Sequence, residues 1–122
     1  MIPYGHQDIT EEDISAVLEV LNANFLTQGP ALPKFEEDIC EYTGAKHAVA
    51  CVNGTNALQV SLRLAGVQPG DEVIVPTITF IAPVNAVAYN GATPVFMDAD
   101  RYYNLDAEKT IEFIRKETKL TD

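Results

Sequence analysis

The chain has 122 residues, 47% hydrophobic and 21% charged, with a formal net charge of -10. That length supports one small core, and the acidic balance argues against nucleic acid or an anionic membrane as partner, since both require a basic surface. No apolar stretch approaches the ~20 residues of a membrane span, and Met1-Ile2-Pro3-Tyr4-Gly5-His6 lacks the pattern of a signal peptide.

Thr10, followed by Glu11, Glu12 and Asp13, reads as the capped, acidic first turn of a helix. Ile14, Val17, Leu18 and Leu21 then form one apolar stripe at helical spacing. The pattern breaks from Asn22 to Pro30, and Phe35, Ile39 and Tyr42 space a second helix that Gly44 ends. Residues 1–45 are therefore expected to form an N-terminal helical arm.

From residue 46 the pattern becomes that of an α/β chain. The apolar run Ala48–Val52 predicts a strand, followed by a helix with Leu58, Leu62 and Ala65 on one stripe. Pro69-Gly70-Asp71 makes a turn, Glu72–Val75 a strand stopped by Pro76, and Phe80 to Asn90 a largely apolar helix. Thr93–Met97 predicts a third strand, and Asp106 is expected to cap a last helix reaching Arg115, with Ile111 and Ile114 facing inward. Strands alternating with helices imply crossovers and a mainly parallel sheet covered on both faces. Lys119-Leu120-Thr121-Asp122 reads as the approach to a further strand, so a larger protein is expected.

Cys40 and Cys51 sit in apolar contexts and are expected to be buried thiols in a reducing cytoplasm. His6 and His47 have no ligand-spaced partners, so no metal site is expected.

The segment richest in functional meaning is Asn53-Gly54-Thr55-Asn56, between the first predicted strand and its helix. A glycine turn at a helix start gathers unpaired N–H groups where the helix dipole adds roughly half a positive charge. Phosphate is the natural guest there, although a plain strand-to-helix connection uses the same residues.

Taken in order, Ile2–Gly5, Leu26–Pro30, Phe35-Glu36, Asn53–Leu58, Pro69–Pro76, Thr79-Phe80 and Gly91–Asp98 carry a family likeness. The chain resembles the DegT/StrS nucleotide-sugar aminotransferases, fold type I enzymes of the aspartate aminotransferase superfamily that use pyridoxal 5'-phosphate (PLP). The resemblance implies that residues 46–122 are the first, incomplete part of the PLP-binding large domain, a mainly parallel three-layer α/β sheet. It implies that Gly54, Thr55 and Asn56 hold the PLP phosphate and that Phe80 covers the pyridine ring. Asn53 and Asn56 depart from the family's usual Ser-Gly-Thr-Ala-Ala-Leu. Tyr4 and Asn24, Phe25, Leu26 and Thr27 match the stretch that lines the sugar-nucleotide pocket. The implied partners are a nucleotide-linked keto-sugar, an amino donor such as glutamate and, for the full protein, a second copy in a cytoplasmic homodimer.

The resemblance places the imine-forming lysine and the pyridine-nitrogen aspartate beyond residue 122. Lys34, Lys46, Lys109, Lys116 and Lys119 lie in charged helices or turns, so none is a catalytic candidate. For Asp98 and Asp100, at the end of the third predicted strand, a structural or capping role is expected. Two alternatives stay open: a PLP-dependent sugar dehydratase, in which histidine replaces that lysine, and a non-catalytic binding or assembly module.

Overall fold

The computed structural model describes residues 2–118. In chain order the elements are α1 (Glu11–Leu21), α2 (Ala31–Thr43), α3 (Gly54–Leu64), β1 (Glu72–Pro76), α4 (Ile81–Tyr89), β2 (Thr93–Met97) and α5 (Ala107–Glu117). They fall into two compact units, Met1–Ala50 and Cys51–Asp122. The strand expected after Lys119 lies outside the described residues.

In the first unit α1 begins where its cap dictates. The Thr10 amide donates to Asp13 Oδ2 at 2.7 Å and the Asp13 amide to Thr10 Oγ1 at 3.3 Å, a reciprocal capping box. Those contacts, the Thr10 amide first and its hydroxyl second, hold the Asp13 carboxyl below the ordinary aspartate range. Gly44, left-handed at φ 73°, ends α2 by donating to the Cys40 carbonyl. Neither helix buries a residue, so the stripe of Ile14, Val17, Leu18 and Leu21 stays open. Glu36, inside α2, accepts the Ala50 amide at 2.9 Å and so ties the end of the unit back to its second helix.

The second unit is built on a parallel pair. Glu72–Pro76 of β1 faces Thr93–Met97 of β2 residue for residue, and α4 is the crossover that a parallel connection needs. Thr93 N–H donating to Asp71 and Thr77 N–H donating to Met97 extend the ladder at its two ends, at 2.8 and 2.9 Å. Val75, Val87 and Ala92 form the buried centre, with Leu62, Val67, Val73 and Val84 packed around them. Gly91, at φ 74°, is required by space as well as by conformation, because a Cβ there would meet Pro69 Cβ at 3.1 Å.

Asn90 joins the two packed helices. It is buried, and its Nδ2 donates to the Gln59 carbonyl of α3 at 3.1 Å and to the Ala86 carbonyl of α4 at 2.8 Å. Asn90→Ala removes both of these bonds, the one to α3 and the one to α4, and leaves a small void where the amide was. The variant is expected to lose about 1–3 kcal/mol of stability, read as a lower denaturant midpoint at unchanged m-value.

Three expectations need correction. Ala48–Val52 is irregular, not a strand. A strand exists through ladder partners, and the only sheet among the described residues is the β1–β2 pair; Val49 and Val52 are accordingly exposed. Ile111 and Ile114 are half-exposed, not inward-facing, although Asp106 does cap α5 by accepting the Lys109 amide at 3.0 Å. Cys51 is exposed and Cys40 only partly buried, since neither stands in a packed layer.

Candidate functional site

The turn before α3 is ordered by its own side chain. Asn53 is extended, at φ -165° and ψ 171°, and its Oδ1 accepts the Asn56 amide at 2.9 Å. The Asn53 carbonyl accepts the Ala57 amide at 3.1 Å, the first bond of the helix. The Gly54 and Thr55 amides, at the first two helical positions, are donors without partners among the described residues. Gly54 is exposed with open space where a Cβ would stand. Two free N–H groups therefore share the positive end of α3 with a clear approach, which suits a phosphate.

The charge pattern agrees. No acid occurs between Glu41 and Asp71 in a chain that carries 18. The first turn of α3 holds no acid, as is also true of α2 and α4, whereas those of α1 and α5 do.

Phe80 is the N-cap residue of α4, in the loop that leaves the carboxyl end of β1. The residue is 79% exposed and its side chain makes no cap hydrogen bond. Gly54 and Phe80 thus open two helices that Asn90 ties together. A phosphate anchor and an aromatic surface are what the two ends of PLP require, and the free amides of Gly54 and Thr55 and the open ring of Phe80 are groups of those two kinds.

In the first unit, Phe25 and Leu26 line a cavity of about 350 Å³ with Val20, Gly29 and Phe35. Tyr4, Asn24 and Thr27 are exposed and are not among its lining residues. Gln28, at φ 52°, makes this loop tighter than its sequence suggests, and Gly29 follows where a Cβ would come within 2.9 Å of the Phe25 carbonyl oxygen.

Asp98 and Asp100 serve the loop into α5. Asp98 Oδ2 accepts Lys109 Nζ at 2.7 Å, while Asp100 Oδ1 accepts the amides of Tyr102 at 2.8 Å and Asn104 at 3.0 Å. The bond to Asp98, together with that carboxylate's charge, holds the Lys109 ammonium above the ordinary lysine range. Lys34 is raised in the same direction by its hydrogen bond to Asp38. Both shifts keep the amines protonated, the opposite of what a nucleophilic lysine requires.

Two contacts, one in each unit, fall outside the sequence expectations. The Asn53 cap was legible, since asparagine before a helix is a standard acceptor for the amide three residues on. The Glu36–Ala50 bond has no local signal.

Residues 7–121 match the model of the DegT/DnrJ/EryC1/StrS aminotransferase family. GDP-perosamine synthase of Caulobacter vibrioides is 48% identical over 105 residues, covering 84% of this chain and 28% of that protein. A Streptococcus pneumoniae protein described as a sugar aminotransferase, solved in its PLP form, superposes with a TM-score of 0.85 at 35% identity, covering 91% of this chain and 29% of that one. PseC of Helicobacter pylori, an aminotransferase involved in the biosynthesis of pseudoaminic acid, gives 0.86 at 36% identity, covering 96% and 32% of the two chains. The helices and parallel pair described above correspond to part of a PLP transferase fold, and the chain spans about three tenths of the length of these relatives.

Proposed function

The chain belongs to the DegT/DnrJ/EryC1/StrS aminotransferase family, and from that premise we propose that the full protein uses PLP to transfer an amino group from glutamate to a nucleotide-linked keto-sugar. The observation that carries the reading is the turn Asn53-Gly54-Thr55-Asn56, whose Gly54 and Thr55 amides stand free at the start of α3.

When bound, PLP supplies an electron sink for the carbon that loses its proton. This chain's own contribution is anchoring and placement. Gly54 and Thr55 donate N–H groups to the phosphate, with Asn56 beside them. The Phe80 ring covers one face of the pyridine and keeps water from it. Tyr4, Asn24, Phe25, Leu26 and Thr27 hold the sugar nucleotide. The reading includes a cytoplasmic homodimer, as the family resemblance implies. No described helix is long and apolar enough to cross a membrane.

The test is a titration of the full-length apoprotein with PLP, followed by an assay of glutamate-dependent amination of nucleotide-linked keto-sugars. Failure to retain PLP removes the reading. Thr27→Ala is expected to raise the Michaelis constant for the sugar roughly five- to tenfold, the scale of one neutral hydrogen bond, with the visible PLP spectrum intact. A lost PLP spectrum with normal sugar affinity reverses that assignment.

A further inference from the structure

We propose that Glu36 is the latch of a strap: its carboxylate holds residues 46–50 along α2, and the held strap shields the Cys40 thiol and shortens the free tether that runs into α3. The inference concerns the first unit and does not depend on the PLP reading.

Glu36 and Cys40 stand one turn apart on one face of α2, and they are the only residues of that helix that are not exposed. In the segment that follows, Ala48 and Ala50 are half-buried while Val49, between them, is 82% exposed. That alternation belongs to a segment with one side laid against a surface. The surface is α2. Glu36 accepts the Ala50 amide at 2.9 Å, and Glu36, Cys40, Lys46, His47 and Ala48 line one cavity of about 400 Å³.

The bond to Glu36 is the one hydrogen bond that residues 46–50 make among the described residues, and they belong to no sheet. Loss of the carboxylate therefore frees the segment, where in a ladder it would weaken one contact among many. Eight residues, 45–52, separate Gly44, the C-cap of α2, from Asn53, the N-cap of α3. With Ala50 held, only Cys51 and Val52 are left between the fixed points, and both are exposed. A shorter free run has fewer conformations to lose. When the strap lifts, Cys40 is open on the side now occupied by Lys46, His47 and Ala48.

The experiment compares the full-length protein with its Glu36→Ala and Glu36→Gln variants. Iodoacetamide labelling of Cys40 and trypsin cleavage after Lys46 are followed by peptide mass, with the exposed Cys51 as internal standard. Alanine keeps α2 helical and removes the acceptor, whereas glutamine keeps a carbonyl oxygen in its place. Glu36→Ala is expected to speed both reactions roughly tenfold, the scale of one net hydrogen bond to a charged group, with Cys51 labelling and the far-UV spectrum unchanged. Glu36→Gln is expected to stay within roughly threefold of the parent, because a neutral acceptor retains part of that bond.

Parent-like labelling and cleavage in Glu36→Ala overturn the inference. A matching rise at Cys51, or a far-UV spectrum that loses helix, also overturns it, because the fold has then loosened as a whole. Glu36→Gln as open as Glu36→Ala does so too, since an acceptor at that position then fails to hold the strap.

Discussion

Mixed with PLP and glutamate, the 122-residue chain alone is expected to yield no adduct that borohydride can fix and no amino transfer. The reason lies in its amines. Lys109 is held by Asp98 at 2.7 Å, Lys116 by Glu112 at 2.5 Å, and Lys34 by Asp38. For Lys34 and Lys109 the pairing raises the pKa above that of a free lysine, so the neutral, nucleophilic form is rarer still at neutral pH. Lys46 is exposed on the loop after α2. Every described lysine is exposed, whereas burial is what lowers an amine's pKa toward use. The carboxylates are equally committed, since Asp98 pairs with Lys109 and Asp100 closes its loop through Tyr102 and Asn104. The open stripes of α1 and the exposed Phe80 further predict self-association, measurable by light scattering. Absorbance before and after borohydride, with mass mapping of lysines, decides the chemical question. A stoichiometric adduct on one lysine, with glutamate-dependent turnover, contradicts this account.

Local chemistry made the helix starts legible, because a cap is decided by residues three apart. Thr10 with Asp13 and Asp106 with the Lys109 amide stand where their spacing places them. The parallel pair was equally legible, since Val73–Val75 and Val95–Met97 are apolar without alternation and are separated by a helix-length crossover. Ala48–Val52 shows where that reasoning stops. An apolar run states that a segment can be buried, but not that a partner strand lies beside it. The candidate site divides in the same way. The expectation of an anion turn rested on Gly54 and the helix pattern after it, and α3 does begin at Gly54, whereas capture of the Asn56 amide by Asn53 reduces the free backbone donors at the turn to Gly54 and Thr55. The Ala50 amide found Glu36, fourteen residues earlier, and no short-range rule predicts such a contact.

Phe80→Ala, made in the full-length protein, is expected to loosen PLP by about 1–3 kcal/mol, the combined scale of aromatic contact and apolar burial. That corresponds to a roughly five- to hundredfold rise in the dissociation constant. Phe80 suits the test because the chain itself makes little use of its ring. The residue is 79% exposed and offers the helix no cap bond, so alanine removes little packing that holds α4 in place. A ring of this size left open beside the carboxyl end of a parallel strand stands where open α/β sheets take their ligands. The apo stability should therefore stay within about 0.5 kcal/mol of the parent, as for surface substitutions generally, leaving the thermal midpoint nearly unmoved while cofactor retention falls. Phe80→Tyr restores an aromatic face and is expected to recover most of the lost affinity. If Phe80→Ala holds PLP as tightly as the parent, the ring does not stack on the cofactor. If the apo midpoint drops together with affinity, the ring packs against the protein and acts on PLP only indirectly. The combination of weakened PLP, steady apo stability and rescue by tyrosine marks a ring that contacts the cofactor rather than the protein, because burial within the protein would move the midpoint.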